Sequence, residues 1–234
     1  MSCSPKLNVK RVNHKKKEKH YTHNHVVAAY QSPIALPHDS LHDVICIDQQ
    51  ISIYGENIRA IYNHEHKIYE VQDVIVLRIC NKKYQLEEYH FHIPGEHKVN
   101  DQIYESEIHY VFVELDHDED HKKTSHKCSN VCGNMRPEDN RNILVIGRVI
   151  NHKRDHEDLS RVQVRVPHSY FEYDGSLTTG EFSPVRWIIG NRAIHFNLND
   201  VECVAKGARP IQPFDHRIIL FSNQEKEKKH KCSK

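Results

Sequence analysis

A mainly β fold is predicted for this 234-residue chain by three features of its sequence. Short runs of β-branched and aromatic residues recur along it, the composition that suits pleated, half-buried segments. Helical periodicity is weak throughout. The length fits one sizeable core, since β-rich chains of this size commonly form a single domain.

Taken in order, residues 1–25 carry His14, Lys15, Lys16, Lys17, Lys19 and His20 and are expected to be a disordered basic tail. A single domain is expected over 26–223. Within it, strands are predicted at Val44–Ile47, Val74–Ile79, Tyr89–Ile93, Ile108–Leu115, Ile143–Ile150, Val185–Ile189 and Arg217–Phe221. Short helices are predicted at Arg154–Val162 and Leu198–Ala205. Residues 116–141 hold acidic, His and Lys side chains around Cys128 and Cys132 with few apolar ones, which reads as a long polar surface loop. Cys128 and Cys132, with His121 and His126 near them, leave open a second metal site or a flexible reduced loop. Residues 224–234 form a second basic tail. These tails read as solubilising ends, with contact to an anionic surface or nucleic acid as the alternative.

Hydrophobic residues make up 38% and charged residues 28%, a soluble globular balance. A net charge of +1 gives no reason to expect a nucleic-acid partner. No run approaches the roughly 20 apolar residues that span a bilayer, and Met1 to His20 is polar and basic where an export signal needs an apolar stretch. An intracellular, cytoplasmic location is therefore expected. Seven scattered cysteines in such a chain are expected to be free thiols.

Histidine is the outlier, at 21 residues, most of which must be solvated. In Tyr89-His90-Phe91-His92 the two-residue period of a strand sends His90 and His92 to one face. A His-x-His pair alone is also met in ordinary surface and core histidines, so a third ligand is needed. His109, on the predicted strand Glu107 to Val111, is the candidate. Three neutral imidazoles with an open fourth position make a catalytic zinc site, whereas structural sites are closed, usually by thiolates. Glu88 and Glu107 stand two positions before His90 and His109, placed to accept the remaining ring N–H groups.

Tyr-His-Phe-His-Ile-Pro-Gly-Glu-His (Tyr89 to His97) followed by Tyr-Glu-Ser-Glu-Ile-His (Tyr104 to His109) resembles the zinc signature of the α-carbonic anhydrases, most like its short-loop bacterial form. Gln31-Ser32-Pro33-Ile34, Asp174-Gly175-Ser176-Leu177-Thr178-Thr179 and Arg209-Pro210-Ile211-Gln212-Pro213 resemble further segments of that family, in the same order. The resemblance implies a large, mostly antiparallel, twisted central sheet with short peripheral helices. It implies one Zn2+ per chain on His90, His92 and His109, and a zinc lyase that reversibly hydrates carbon dioxide to bicarbonate and a proton.

Position by position, the resemblance has Glu107 and Glu88 orient His109 and His90, with Glu88 standing where the family usually has Gln. Thr178, bonded to Glu96, is implied to orient the attacking oxygen. Val111, Val145, Leu177, Val185 and Trp187 correspond to the apolar wall against which carbon dioxide rests. His66, in Asn63-His64-Glu65-His66, falls at the proton-shuttle position. Two departures stand out: the segment after Thr179 is one residue short, which predicts a displaced rim, and the aromatic N-terminal region is not recognisable before Gln31. The alternative function is a catalytically weak or inactive binding or adhesion protein on the same scaffold. Such proteins typically lose a zinc histidine, and none is missing here.

Overall fold

The computed structural model describes residues 30–37, 44–55, 58–80, 82–115, 142–180 and 182–223. Both basic tails, 1–25 and 224–234, and the polar loop 116–141 lie outside the described residues. What is described is mainly β, with strands β1 (Val44–Cys46), β2 (Ile51–Tyr54), β3 (Ala60–Asn63), β4 (Ile68–Val71), β5 (Val76–Ile79), β6 (Lys82–Ile93) and β7 (Lys98–Val99). They are followed by β8 (Gln102–Ile103), β9 (Ser106–Glu114), β10 (Ile143–His152), β11 (Ser169–Ser176), β12 (Pro184–Phe196), β13 (Lys206–Gly207) and β14 (Ile219–Asn223).

Twelve of these strands form one sheet, ordered β1-β14-β11-β12-β10-β9-β6-β4-β3, with β13 and β5 also on β6 and β2 beyond β5. Most pairs are antiparallel; β1–β14, β10–β12 and β6–β13 are parallel. Long central strands arise where β-branched and aromatic residues are densest, and each central strand is buried on both faces. Tyr84, Leu86, Tyr89, Phe91, Ile108, Tyr110, Leu144, Ile146 and Ile188 pack together on one face. Val111, Val145, Phe171, Tyr173, Val185 and Trp187 form the core of the other.

On β6 the alternation changes phase. The register against β9 shifts between Leu86 and Glu88, leaving Glu87 as a bulge. Even-numbered Tyr84 and Leu86 therefore share a face with odd-numbered Tyr89 and Phe91. Without that extra residue, His90 and His92 would turn into the aromatic core.

Only one short helix matches the expected Leu198–Ala205: α1 (Leu198–Glu202), started by Asn197, whose side chain accepts from the Asn199 N–H. Arg154–Val162 holds only a 3-10 turn at Leu159–Arg161. The polar run before it buries little, and the segment is anchored instead by the Tyr89 hydroxyl, which donates to the Leu159 carbonyl at 2.6 Å. The free-thiol expectation also fails at two positions, since Cys80 and Cys203 are disulfide-bonded. No helix among the described residues is long and apolar enough to cross a membrane.

Candidate metal centre

Strands β6 and β9 build the site through their register. His90 lies directly opposite His109, and His92 opposite Glu107, so all four project from the same face. The ring centroids are 5.1 Å apart for His90 and His92, 5.3 Å for His90 and His109, and 4.7 Å for His92 and His109. One nitrogen from each ring falls within 4.8 Å of the others, and all three side chains are buried. This is the spacing at which a single ion can touch three imidazoles.

The opposite ring nitrogens are engaged at two of the three. His92 Nδ1 sits 3.0 Å from the carbonyl of Gly207, which β13 brings alongside β6. His109 Nε2 sits 2.9 Å from Glu107 Oε1. These contacts leave His92 Nε2 and His109 Nδ1 for a metal, and His92 Nε2 is indeed buried with no hydrogen-bond partner. Glu88 Oε1 approaches His90 Nδ1 to 3.3 Å without forming an aligned hydrogen bond, so that nitrogen is also unpartnered. A buried ring nitrogen without a partner, as at His92 Nε2, is costly in a finished core and natural in an ion site.

Glu107 is the hub behind the histidines. Its Oε2 accepts from the backbone N–H groups of Glu96 at 2.9 Å and His97 at 2.8 Å, while Oε1 also meets His97 Nδ1 at 2.7 Å. His97 Nε2 in turn meets the Tyr173 hydroxyl at 2.6 Å, and Tyr173 donates to Ser32 Oγ at 3.0 Å. Gly147 sits opposite His109 on β10, where an added Cβ would stand 2.9 Å from Glu107 Oε1 and 2.6 Å from Ile189. The bare backbone there makes room for the carboxylate. Burial alone would favour the protonated acid, yet His97 and His109 hold the Glu107 carboxyl well below its usual range.

Burial, followed by repulsion from His109, pushes His90 well below the ordinary imidazole value and His92 down to about 4. Burial also lowers His109, against the pull of Glu107. All three are thus neutral at pH 7, the form that ligates a metal. For the metal-free protein the sign follows directly. A group whose folded value lies below its unfolded 6.5 binds more protons when unfolded, so stability is complete above 6.5 and falls as the pH drops toward 4. His92 alone contributes about 3 kcal/mol of this loss. Urea midpoints of zinc-stripped protein at pH 7 and pH 5 are expected to differ accordingly, and equal midpoints would contradict the burial argument.

Of the remaining expected residues, Val111, Val145, Val185 and Trp187 are buried in one cluster on the histidine face, with Leu177 packed against it. Val145 pairs with both Val111 and Trp187, and the Trp187 ring lies 4.8 Å from His109. Thr178 and Glu96 are both buried. Glu96 Oε1 accepts from the Arg209 N–H at 2.8 Å, but Oε2 has no hydrogen-bond partner, so the bond expected from Thr178 is not formed in this structure. His66 is exposed on the turn between β3 and β4, where its N–H donates to Asn63 Oδ1 at 3.2 Å. It makes no ring contact with the three histidines. Its link to them is electrostatic, through Glu88.

Several residues that shape the site had no assigned role in the sequence: His97, Tyr173, Ser32, Gly207, Arg209 and Lys206. Ser32 and Arg209 lie in segments noted there, yet only the fold shows what they touch. The Arg209 guanidinium lies 3.9 Å over the Phe182 ring and donates to the Ser32 carbonyl at 2.7 Å, tying the shortened segment to the early Gln-Ser-Pro-Ile. Lys206 is half-buried; burial lowers its ammonium below the ordinary value, against the attraction of Glu88 and Glu96. Its charge offsets the one that Glu88 introduces beside His90.

Residues 14–223 match the family model described as eukaryotic-type carbonic anhydrase. A carbonic anhydrase of Pectobacterium atrosepticum is 25% identical over 182 residues, covering 71% of this chain and 70% of that protein. Among solved structures, the α-carbonic anhydrase of Thermovibrio ammonificans in complex with the inhibitor sulfanilamide superposes with a TM-score of 0.59 at 21% identity, over 82% of this chain and 86% of that one. The α-carbonic anhydrase of Photobacterium profundum gives a TM-score of 0.60 at 18% identity, over 82% and 88%. At these identities the superpositions speak for the fold, and the family model, spanning nearly all of the chain, speaks for descent. The chain belongs to the eukaryotic-type carbonic anhydrase family.

Proposed function

We propose that this protein holds one zinc ion on His90, His92 and His109 and catalyses the reversible hydration of carbon dioxide to bicarbonate and a proton. The observation that carries the reading is the meeting of three buried, neutral imidazoles with an apolar wall at Trp187. Zinc bound there supplies the Lewis acidity that ionises water near neutral pH, for which carbonic anhydrase is itself the standard case.

The chain's own residues supply the rest. Gly207 and Glu107 fix the ring orientation of His92 and His109. Val111, Val145, Leu177, Val185 and Trp187 position a substrate that offers little to hydrogen-bond and is held by contact and shape. Thr178 and Glu96 are assigned the alignment of the attacking oxygen, and Glu96 is already fixed by the Arg209 N–H. We take 26–223 as the single catalytic domain. The cytoplasmic location expected from the N-terminal sequence is in tension with the disulfide bonding of Cys80 and Cys203, since such bonds persist chiefly in oxidising compartments.

A stopped-flow carbon dioxide hydration assay on protein of known zinc content tests the reading. Zinc-loaded protein without hydration above background, in ample buffer, would establish the binding-scaffold alternative instead. His66 is assigned proton export through its ring nitrogens, as an imidazole exposed to solvent beside Glu88. His66→Ala is expected to lower kcat several-fold at low buffer with kcat/KM nearly unchanged, because proton removal follows attack on carbon. Added imidazole should restore kcat. His64, whose ring stacks edge-on to Tyr62 at 4.7 Å, is a near substitute, so the double replacement of His64 and His66 is measured beside the single one.

A further inference from the structure

The face of the sheet opposite the histidines carries a second polar site. Arg148 on β10 pairs with Ile108 on β9 and with Gly190 on β12, beside the irregularity in the β10–β12 register, and therefore points away from His109. There it lines a cavity of about 430 Å³ with Tyr110, Glu157, Arg165, Ile194 and Phe196. The guanidinium rests on the bare backbone of Gly190, where an added Cβ would stand 2.6 Å from Nε and 2.9 Å from Cδ. Any side chain at 190 would displace it.

Arg148 is poorly satisfied in this place. Its Nε is buried without a hydrogen-bond partner, and Nη1 reaches only the Arg165 carbonyl at 3.4 Å. No carboxylate among the described residues forms an ion pair with it. Arg161 and Arg165, on the same rim, engage Asp158 at 3.6 Å and Gln163 Oε1 at 2.8 Å, so among the described residues no carboxylate matches the charge of Arg165 or Arg148. Burial accordingly lowers the Arg148 guanidinium from its ordinary value. A planar cation of this kind takes a carboxylate through two parallel N–H bonds.

Glu157 presents the complementary need. Its Oε1 accepts from Lys153 Nζ at 2.5 Å, while Oε2 is buried with no partner. The cavity thus holds an unmatched donor and an unmatched acceptor between the apolar surfaces of Tyr110, Ile194 and Phe196. We propose that this cavity binds a small organic acid whose carboxylate seats on Arg148, whose hydroxyl donates to Glu157 and whose apolar body lies against Phe196 and Ile194. The site is separated from the histidines by the thickness of the sheet and does not depend on catalysis.

The test uses the full-length protein and 4-hydroxybenzoate as the probe, with benzoate as the comparator lacking the hydroxyl. Titration is followed by the arginine Nε–H signals in 1H–15N NMR. A saturable shift of the Arg148 signal is expected, about tenfold tighter for 4-hydroxybenzoate than for benzoate. Arg148→Lys, which keeps the charge but loses the fork and whose affinity is read on the Arg165 Nε–H and the backbone amides of β10, should weaken binding about tenfold, and Glu157→Ala should erase the difference between the two probes. His92→Ala should leave binding intact; loss of binding in that variant would place the probe at the histidines and overturn the proposal. A linear, unsaturable shift, or unchanged affinity in Arg148→Lys, would overturn it equally.

Discussion

Replacing His92 by alanine is expected to leave the purified protein without its zinc after dialysis, while the unaltered chain keeps one ion. His92 is well placed as a ligand, because its ring is buried, its Nδ1 is tied to the Gly207 carbonyl at 3.0 Å, and its Nε2 has no protein partner. Without it, His90 and His109 alone must hold an ion against water, and two imidazoles do not complete a tetrahedral site. Losing a partner behind a ligand already costs about 10- to 100-fold in affinity, so losing the ligand should cost more than about 100-fold. Hydration activity should vanish with the metal. Metal analysis by mass spectrometry beside circular dichroism separates this from unfolding, since the alanine chain should keep its β spectrum. Unchanged metal content in the variant, or two or more tightly held ions in the unaltered chain, would count against the assignment.

The placing of His90 and His92 on one face was legible because its signal is local. Tyr89 to His92 alternate in a regular strand, and the period of two needs no knowledge of the partner strand. The bulge at Glu87 was not legible, since a bulge is a property of two strands in register. Strand β11 escaped prediction because Glu172 interrupts its apolar pattern; the fold buries that carboxylate by donating to it from Arg186 Nε at 2.7 Å. Similarly, the role of His97 depends on Tyr173, 76 residues away in sequence, and that of Gly207 on a backbone carbonyl that has no side-chain signature. The cysteines mislead for a related reason. Composition says how many there are, and only the fold shows that Cys80 and Cys203 each take part in a disulfide.

Thr178→Ala is expected to keep zinc bound while lowering kcat/KM for hydration about 100-fold, the scale on which a misplaced reacting group slows chemistry. The hydroxyl ligates nothing in this reading; it aligns the attacking oxygen, and alignment is a transition-state property. Thr178 sits buried just after β11, on a segment closed by the Leu177 N–H donating to the Ser183 carbonyl at 2.9 Å. Glu96 is fixed through Oε1 by the Arg209 N–H, and its Oε2 retains capacity to accept. The Thr178 to Glu96 bond is not made in this structure, so the prediction is that it closes in the loaded site. Thr178→Ser, which keeps the hydroxyl on a smaller side chain, should recover most of the lost rate, whereas a purely structural role would leave both variants equally stable and equally fast. Arg209 stacked on Phe182 is the element that holds this shortened segment, and Phe182 itself is kept in the left-handed region at φ 53°. An unimpaired Thr178→Ala enzyme would mean that this clamp has set the segment too far from the histidines for the hydroxyl to reach the reacting atoms.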